Sequence, residues 1–202
     1  DGDSRATYKT SDLDLRTYKR IKMFVHAEGE ADDLNDGGLS CFLRLGTDFT
    51  ANYYEYEILL EPTEHGSTSA NDIWPSQNEI DIAFEIFQQA KQDRNYNNSD
   101  VSSPYIKYTS GGKVTVLGNP NLAQVKTIMI GVRNPKKKSM EDTDDGLPKC
   151  GQIWVNELRI TEFDEQGGWA ANSRVTARLA DFGNVTLSGS MSTIGFGSIE
   201  KK

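Results

Sequence analysis

The sequence predicts an all-β protein in which a jelly-roll-like β-sandwich is followed by a β-hairpin. Many segments of roughly six to ten residues alternate apolar and polar side chains, which is typical of strands with one buried face. Loops rich in Gly, Pro, Asn and Asp separate them, and few stretches have helical periodicity. About eight such strands suit a jelly roll, and about 150 residues suffice to bury an independent core.

The alternation divides the chain into three parts. Residues 1–17 are polar and are expected to be a lead-in, residues 18–167 to form the sandwich, and residues 168–202 to form the hairpin. The chain opens Asp-Gly-Asp-Ser without an initiator methionine, so we interpret it as a piece of a longer protein.

The sandwich strands are expected where apolar residues recur at every second position. Their ranges are Tyr18–Ala27, Leu39–Leu45, Tyr53–Leu60, Ile80–Ile86, Tyr105–Thr109, Lys113–Leu117, Lys126–Arg133 and Gln152–Thr161. Phe87–Arg94 is expected to add a helical turn or two. Polar loops are predicted at Glu28–Gly38, Glu61–Asn71, Asn95–Pro104 and Asn134–Pro148.

The hairpin is predicted from two alternating arms around a short turn. Phe182-Gly183-Asn184 supplies the residues that tolerate a positive φ, so these three residues are expected to form the loop. The expected pairs keep the apolar side chains on one face. They are Leu179 with Leu187, Ala177 with Gly189, and Val175 with Met191.

Two interpretations of this hairpin remain open on pattern alone. Its polar face is mostly Ser and Thr, and the arm Ala171–Asp181 has about the length of a membrane-crossing strand, ~9–11 residues. Trp169, Phe182 and Phe196 lie near the ends of the arms, as aromatic residues do in outer-membrane barrels. The alternative is an ordinary surface hairpin of a water-soluble sandwich.

Composition excludes several classes of protein. A net charge of -8 and a pI of about 4.8 argue against binding to nucleic acid, which requires a basic face. The sequence contains no run of ~18 apolar residues, so no transmembrane helix is predicted. Cys41 and Cys150 permit at most one disulfide and form no metal motif. The acidic loops that hold Asp32 and Asp142 lack the spacing of a calcium-binding loop, so no metal or cofactor is expected.

One stretch invites an enzymatic interpretation. The segment Trp74–Glu85 resembles the catalytic strand of laminarinase-like β-glucanases, with Glu79, Asp81 and Glu85 expected on one strand face. A retaining pair of carboxyl groups must lie ~5–5.5 Å apart. Six residues of strand separate Glu79 from Glu85 by ~20 Å, which favours a solvated acidic face over a glycan hydrolase.

Aromatic residues supply a second alternative, a cell-surface carbohydrate-binding module. Tyr53, Tyr54 and Tyr56, together with Trp74, would form a sugar platform, and Glu79 and Asp81 are further candidates for ligand binding. Tyr54 and Tyr56 share the alternation of the apolar strand residues, however, and this favours a place in the core.

Several strings of residues together resemble one family. They are YKRIKMFVHAEG (18–29), YYEYEIL (53–59), VLGNPNLAQVKTIMIGV (116–132), IWVNELRIT (153–161), FDEQGGWAA (163–171) and LADFGNVTLSG (179–189). This combination is similar to the SprA/Sov family of outer-membrane translocon proteins of the Bacteroidetes type IX secretion system, which is associated with gliding motility. The resemblance covers nearly the whole chain.

The resemblance implies a non-catalytic piece of a protein-conducting pore. The hairpin would belong to a very large outer-membrane β-barrel and contact the lipid bilayer through residues 168–202, and the sandwich would be an insertion between barrel strands. Other translocon subunits and exported cargo proteins would be its partners. Since periplasmic turns of barrels are short, a periplasmic turn at Phe182–Asn184 would place the sandwich on the extracellular side.

Overall fold

The all-β prediction is confirmed by a computed structural model that describes residues 2–29, 34–136, 147–163 and 169–193. The chain divides into two compact units, Asp1–Phe163 and Asp164–Lys202. The first unit is a sandwich of two antiparallel sheets and the second is a two-stranded hairpin.

The larger sheet of the first unit has six strands. They are β1 (Ser4–Leu13), β3 (Ser40–Gly46), β4 (Tyr53–Leu59), β6 (Tyr105–Thr109), β7 (Gly112–Leu117) and β8 (Val125–Arg133). Their order is β1-β8-β3-β4-β7-β6, and every neighbouring pair is antiparallel. The smaller sheet has three strands, β2 (Tyr18–Gly29), β5 (Ile80–Ala83) and β9 (Gly151–Phe163), in the order β5-β2-β9.

The core lies between the two sheets. Every second residue of β2, β3 and β4 points into it, as the alternation predicts. The strand residues buried there include Ile21, Met23, Val25, Cys41, Leu43, Leu45, Tyr54, Tyr56, Ile58, Ile80, Ile82, Val114 and Val116. Burial, with a further contribution from the charge of Glu57, raises the pKa of the Cys41 thiol to about 12. Cys41 is therefore an inert core residue.

The first residues of the chain form a strand where a polar lead-in was expected. β1 pairs with β8 from Ser4 opposite Arg133 to Leu13 opposite Val125. Most of its side chains are exposed, so its sequence lacks the apolar alternation that marks a half-buried strand. Backbone pairing with a strand more than a hundred residues away in sequence defines β1, and local pattern does not report such pairing.

The helical content is larger than the sequence predicts. α1 (Ala70–Ile73) and a 3-10 turn at Ser76–Asn78 precede β5, and α2 (Phe84–Tyr96) follows it directly. The strand predicted over Ile80–Ile86 thus ends at Ala83. Side chains at helical spacing are buried along α2, namely Phe84, Phe87, Ala90 and Arg94, and this face packs beside β7. No helix in the described ranges combines the length and the apolar character needed to cross a membrane.

The second unit pairs β10 (Ala170–Leu179) with β11 (Gly183–Ser192). The predicted pairing register is wrong by four residues, because Val175 lies opposite Leu187 and not Met191, and Ala177 lies opposite Val185 and not Gly189. The loop is Ala180–Phe182, where Ala180 has φ 35° and the following Gly183 has φ 130°. Since the shift is even, the apolar side chains still share one face, as predicted.

Candidate functional site

The hairpin presents two chemically different faces. One face carries Ala171, Val175, Ala177, Leu179, Val185, Leu187 and Met191. The opposite face pairs Asn172 with Ser190, Arg174 with Ser188, and Thr176 with Thr186. Leu187 is 73% exposed and Val175 59%. Exposed apolar surfaces of this kind are typical of protein–protein or membrane interaction sites.

The dimensions of the hairpin match those of a membrane-spanning pair. Each strand has ten residues. At ~3.3 Å per residue and a tilt of ~40° such a strand spans ~25 Å, which is the height of the apolar band of outer-membrane barrels. Strands with alternating lipid-facing and lumen-facing residues have this same two-faced character.

Aromatic side chains mark both ends of the hairpin. At the open end Trp169 and Thr193 are joined by backbone and hydroxyl hydrogen bonds, with the Thr193 amide 3.0 Å from the Trp169 carbonyl oxygen. Phe182 is 96% exposed at the turn. Phe196, the third aromatic residue considered above, lies outside the described residues.

The acidic residues considered for glycan hydrolysis are not brought together as the sequence predicts. Asp81 lies on the outer face of β5, Glu79 directly precedes β5, and Glu85 is in the first turn of α2. The prediction that all three carboxylates share one strand face is therefore wrong, because the strand ends at Ala83 and a helix begins at Phe84. Asp81 is bound by two cations, with Arg20 Nη2 at 2.7 Å and Lys22 Nζ at 2.8 Å.

This pairing gives Asp81 the electrostatics of a structural carboxylate. Burial raises its pKa, but hydrogen bonds from Lys22 and Arg20 and their positive charges bring the pKa of Asp81 below its ordinary value. A glycosidase acid requires a pKa shifted in the opposite direction.

The aromatic candidates lie in three different places. Tyr54 and Tyr56 point into the core, as the alternation favours. Tyr53 faces the opposite side of β4 and is covered by the Arg44 guanidinium, 3.8 Å above its ring. Trp74 is half-buried at the end of α1, 5.8 Å from the ring of His26. The four rings therefore form no common platform for a sugar.

A buried ionic cluster on the outer face of the larger sheet was not predicted. Its carboxylates are Glu55 and Glu57, whose side chains are only 4% exposed, and its cations are Arg44, Arg133 and Lys113. Arg44 Nε donates to Glu55 Oε2 at 2.9 Å, and Arg133 Nη1 donates to Glu55 Oε1 at 3.1 Å and to Glu57. Lys113 Nζ lies 3.0 Å from Glu57.

Rings and hydroxyl groups complete this cluster. Arg133 stacks 4.6 Å from the centre of the buried Phe42 ring, and Ser40 Oγ donates to Glu57 at 2.7 Å. Burial lowers the pKa of Arg133, but the hydrogen bond and charge of Glu55 and the charge of Glu57 raise it above its ordinary value. Glu55 and Glu57 alternate with core tyrosines, so the sequence indicates their outer face but not their burial.

No metal site is evident among the residues that the structure describes, since no three of their His, Cys, Asp or Glu side chains are grouped suitably. Of the acidic residues considered for calcium, Asp32, Asp33, Asp142, Asp144 and Asp145 lie outside the described residues, and Asp36 lies within them. Cys41 is a free buried thiol, whereas Cys150 is exposed.

The described structure is that of an all-β sandwich protein joined in sequence to an exposed two-faced hairpin. Over residues 1–202 the chain matches the family model SprA_N, described as motility related/secretion protein, and it belongs to this family. The resemblance to the SprA/Sov family is thereby confirmed. The family is one of motility and secretion proteins and not a known enzyme family. No curated protein matches the chain.

Proposed function

We propose that this chain is a non-catalytic part of a protein-conducting outer-membrane translocon of the type IX system. In this proposal β10 and β11 are two strands of a large barrel, with their apolar face toward lipid and their Ser/Thr face toward the lumen. The observation that carries the proposal is the exposed apolar face of a hairpin of membrane-spanning length. Membership in a secretion and motility family supports the same role.

The proposal also gives the sandwich a place and partners. A turn at Ala180–Phe182 on the periplasmic side would leave the preceding residues 18–167 on the extracellular side, where they contact exported cargo and other translocon subunits. The proposed role of this part is mechanical. It is supported by membership in a secretion and motility family and by the pairing of Asp81 with Arg20 and Lys22, which suits a structural carboxylate.

The lipid-facing assignment is tested by Val175→Arg in the full-length protein, with Thr176→Arg as the matched control on the adjacent, opposite face. A cation facing lipid near the mid-plane costs about 2–4 kcal/mol, whereas a lumen-facing one is hydrated. We expect Val175→Arg to lower the amount of protein assembled in the outer membrane and the export of cargo, and Thr176→Arg to leave both near wild type. Equal behaviour of the two variants would contradict the barrel assignment.

The topology is tested with one protease site inserted at two turns. Gly66 is in an exposed turn of the sandwich with open space around it, and Gly183 adjoins the hairpin turn. On intact cells we expect protease to cut the site at Gly66 and to spare the one at Gly183. Protection of the site at Gly66 combined with cutting at Gly183 would show that the topology is the reverse of the one proposed.

A further inference from the structure

We propose that β9 is an acceptor strand: an extended, acidic and apolar segment of a separate partner polypeptide adds to the edge of β9 that pairs with no described strand, and covers the side of the sandwich core that the described residues leave open. This inference concerns the first unit alone and does not depend on a membrane role for the hairpin. Three features of the described residues carry it, namely unequal sheets, an unpaired long edge and two exposed cations beside the opening.

The two sheets cover each other incompletely. The larger sheet has six strands and the smaller one has three. At one end of the larger sheet α2 packs beside β7 and β6 and closes the core. At the other end Ile128, Ile130 and Val132 of β8 face the core, because they lie opposite core residues of β3. All three are only half-buried, so the core is open beside β8 in the described part of the chain.

β9 forms one edge of the smaller sheet, and β5 forms the opposite edge. It has 13 residues and pairs only with β2 among the described strands. Val155 lies opposite the fully buried Val25 and so faces the core, yet it is 43% exposed. Trp154, on the outer face, is 59% exposed. A long edge that exposes apolar side chains such as Trp154 and Val155 is a template for pairing with another strand.

A strand added to β9 would extend the smaller sheet over β8 and β1. It would lie ~4.8 Å from β9, and its side chains would point alternately into the core opening and out to solvent. Its core-facing side chains would meet Ile128, Ile130 and Val132 of β8. Aliphatic residues at alternate positions therefore suit the opening.

The charges at the rim specify the rest of the partner's chemistry. Arg5 and Lys9 lie opposite Val132 and Ile128, so they stand on the core-facing side of β1, and both are exposed. No ion pair to either is found among the described residues. Arg5 and Lys9 are four residues apart on one face of β1, which separates their backbone positions by about 13 Å. Carboxylates four residues apart on a partner strand match this spacing, with one aliphatic residue between them.

The edge of β9 is built for selective pairing. Its register against β2 shifts between Lys22 and Phe24, and Glu157 within this irregularity has φ 53°. A bulge of this kind discourages indiscriminate edge pairing, so affinity must come from side-chain complementarity. A second copy of β9 is a poorer occupant, because its core-facing residues Ile153, Val155 and Ile160 offer no carboxylate to Arg5 and Lys9.

The test compares two synthetic peptides of about eleven residues. The first has the sequence TVTETVTETVT, and the second is identical except that Lys replaces each Glu. We expect the whole chain to bind the Glu peptide at least about tenfold more tightly by fluorescence anisotropy, because like charges oppose the Lys peptide. Binding should slow hydrogen exchange of β9 amides. The double variant Arg5→Glu and Lys9→Glu should reverse the preference, and Lys19→Glu, an exposed lysine of β2, should preserve it.

Three outcomes would overturn the proposal. They are equal affinity for the two peptides, protection of amides elsewhere than β9, and self-association through β9 with no binding of either peptide. Circular dichroism of the charge-reversal variant verifies that it is folded, which is expected since both altered side chains are exposed.

Discussion

At the scale of single residues, the outer face of the larger sheet is held by charges that are nearly removed from water. Glu55 accepts hydrogen bonds from Arg44 and Arg133, and Glu57 binds Arg133 and Lys113. Burying such charges costs free energy, which is offset only while each has its partners. The rings of Phe42 and Tyr53 under the guanidinium groups add cation–π contacts. Single changes in this cluster therefore weigh more than those at exposed ion pairs.

We expect Glu55→Gln to lower the free energy of unfolding by about 3 kcal/mol, because it leaves two half-buried arginines short of one carboxylate. Urea denaturation measures the effect. Glu64→Gln, at an exposed position, is the control and should change stability by less than about 0.5 kcal/mol. A Glu55→Gln loss as small as that of the control would mean that the cluster is solvated.

At the scale of elements, the connection between β3 and β4 is organised by one carboxylate. Asp48 Oδ1 accepts hydrogen bonds from the amides of Thr50, Ala51 and Asn52 at 2.9, 2.6 and 3.0 Å. Its other oxygen accepts from the Asn52 side chain at 2.9 Å. Although burial opposes ionisation, these bonds hold the pKa of Asp48 well below its ordinary value. This turn also positions Phe49, whose ring centre lies 4.7 Å from that of Tyr8.

The sign of the resulting pH dependence follows from the lowered pKa. Asp48 stabilises the fold fully above the unfolded pKa of ~3.9, and this contribution is lost as pH falls through the folded value. We expect Asp48→Ala to cost about 1–2 kcal/mol at pH 7, reduced by the partial exposure of the turn. The difference in free energy of unfolding between Asp48→Ala and the wild type, measured by urea denaturation, should shrink below pH ~4. A difference that stays constant down to pH 2 would contradict this account.

At the scale of the whole molecule, the hydrophobic core found among the described residues lies in the first unit. Its buried members run from Leu15 to Val125, and the partly buried residues that pack against them extend to Ile160. Removing residues 168–202 therefore deletes none of the core side chains that the structure describes.

We expect the chain truncated after Gly167 to unfold cooperatively, with a Tm within about 4 °C of the full chain, since 1 kcal/mol corresponds to roughly 2–4 °C at this size. Calorimetry and size-exclusion chromatography measure this. The truncated chain should be monomeric, and the full chain should aggregate or need detergent because the apolar face of the hairpin is exposed. Collapse of the truncated chain would show that the hairpin belongs to the soluble fold.

Local sequence pattern is sufficient to predict the strands whose two faces differ in polarity. In Tyr18–Ala27, Leu39–Leu45 and Tyr53–Leu60 the apolar residues predicted to share a face are those that fill the core. Burial of every second side chain is a local property of a pleated strand, so alternation reports it. The family strings are also local, and they identified the family from the letters alone. The two-faced character of the hairpin was determined in the same way, whichever register its arms adopt.

Contacts between distant segments, in contrast, are known from the three-dimensional structure and not from local pattern. β1 has no apolar alternation and exists because β8 pairs with it. Alternation with Tyr54 and Tyr56 indicates the outer face for Glu55 and Glu57, but Arg44 and Arg133 reach them only through the pairing of β3 with β4 and β8. The end of β5 at Ala83, which separates Glu85 from Asp81, depends on the packing of α2 over the core. Pairing and packing between remote segments are non-local, and residue periodicity does not record them.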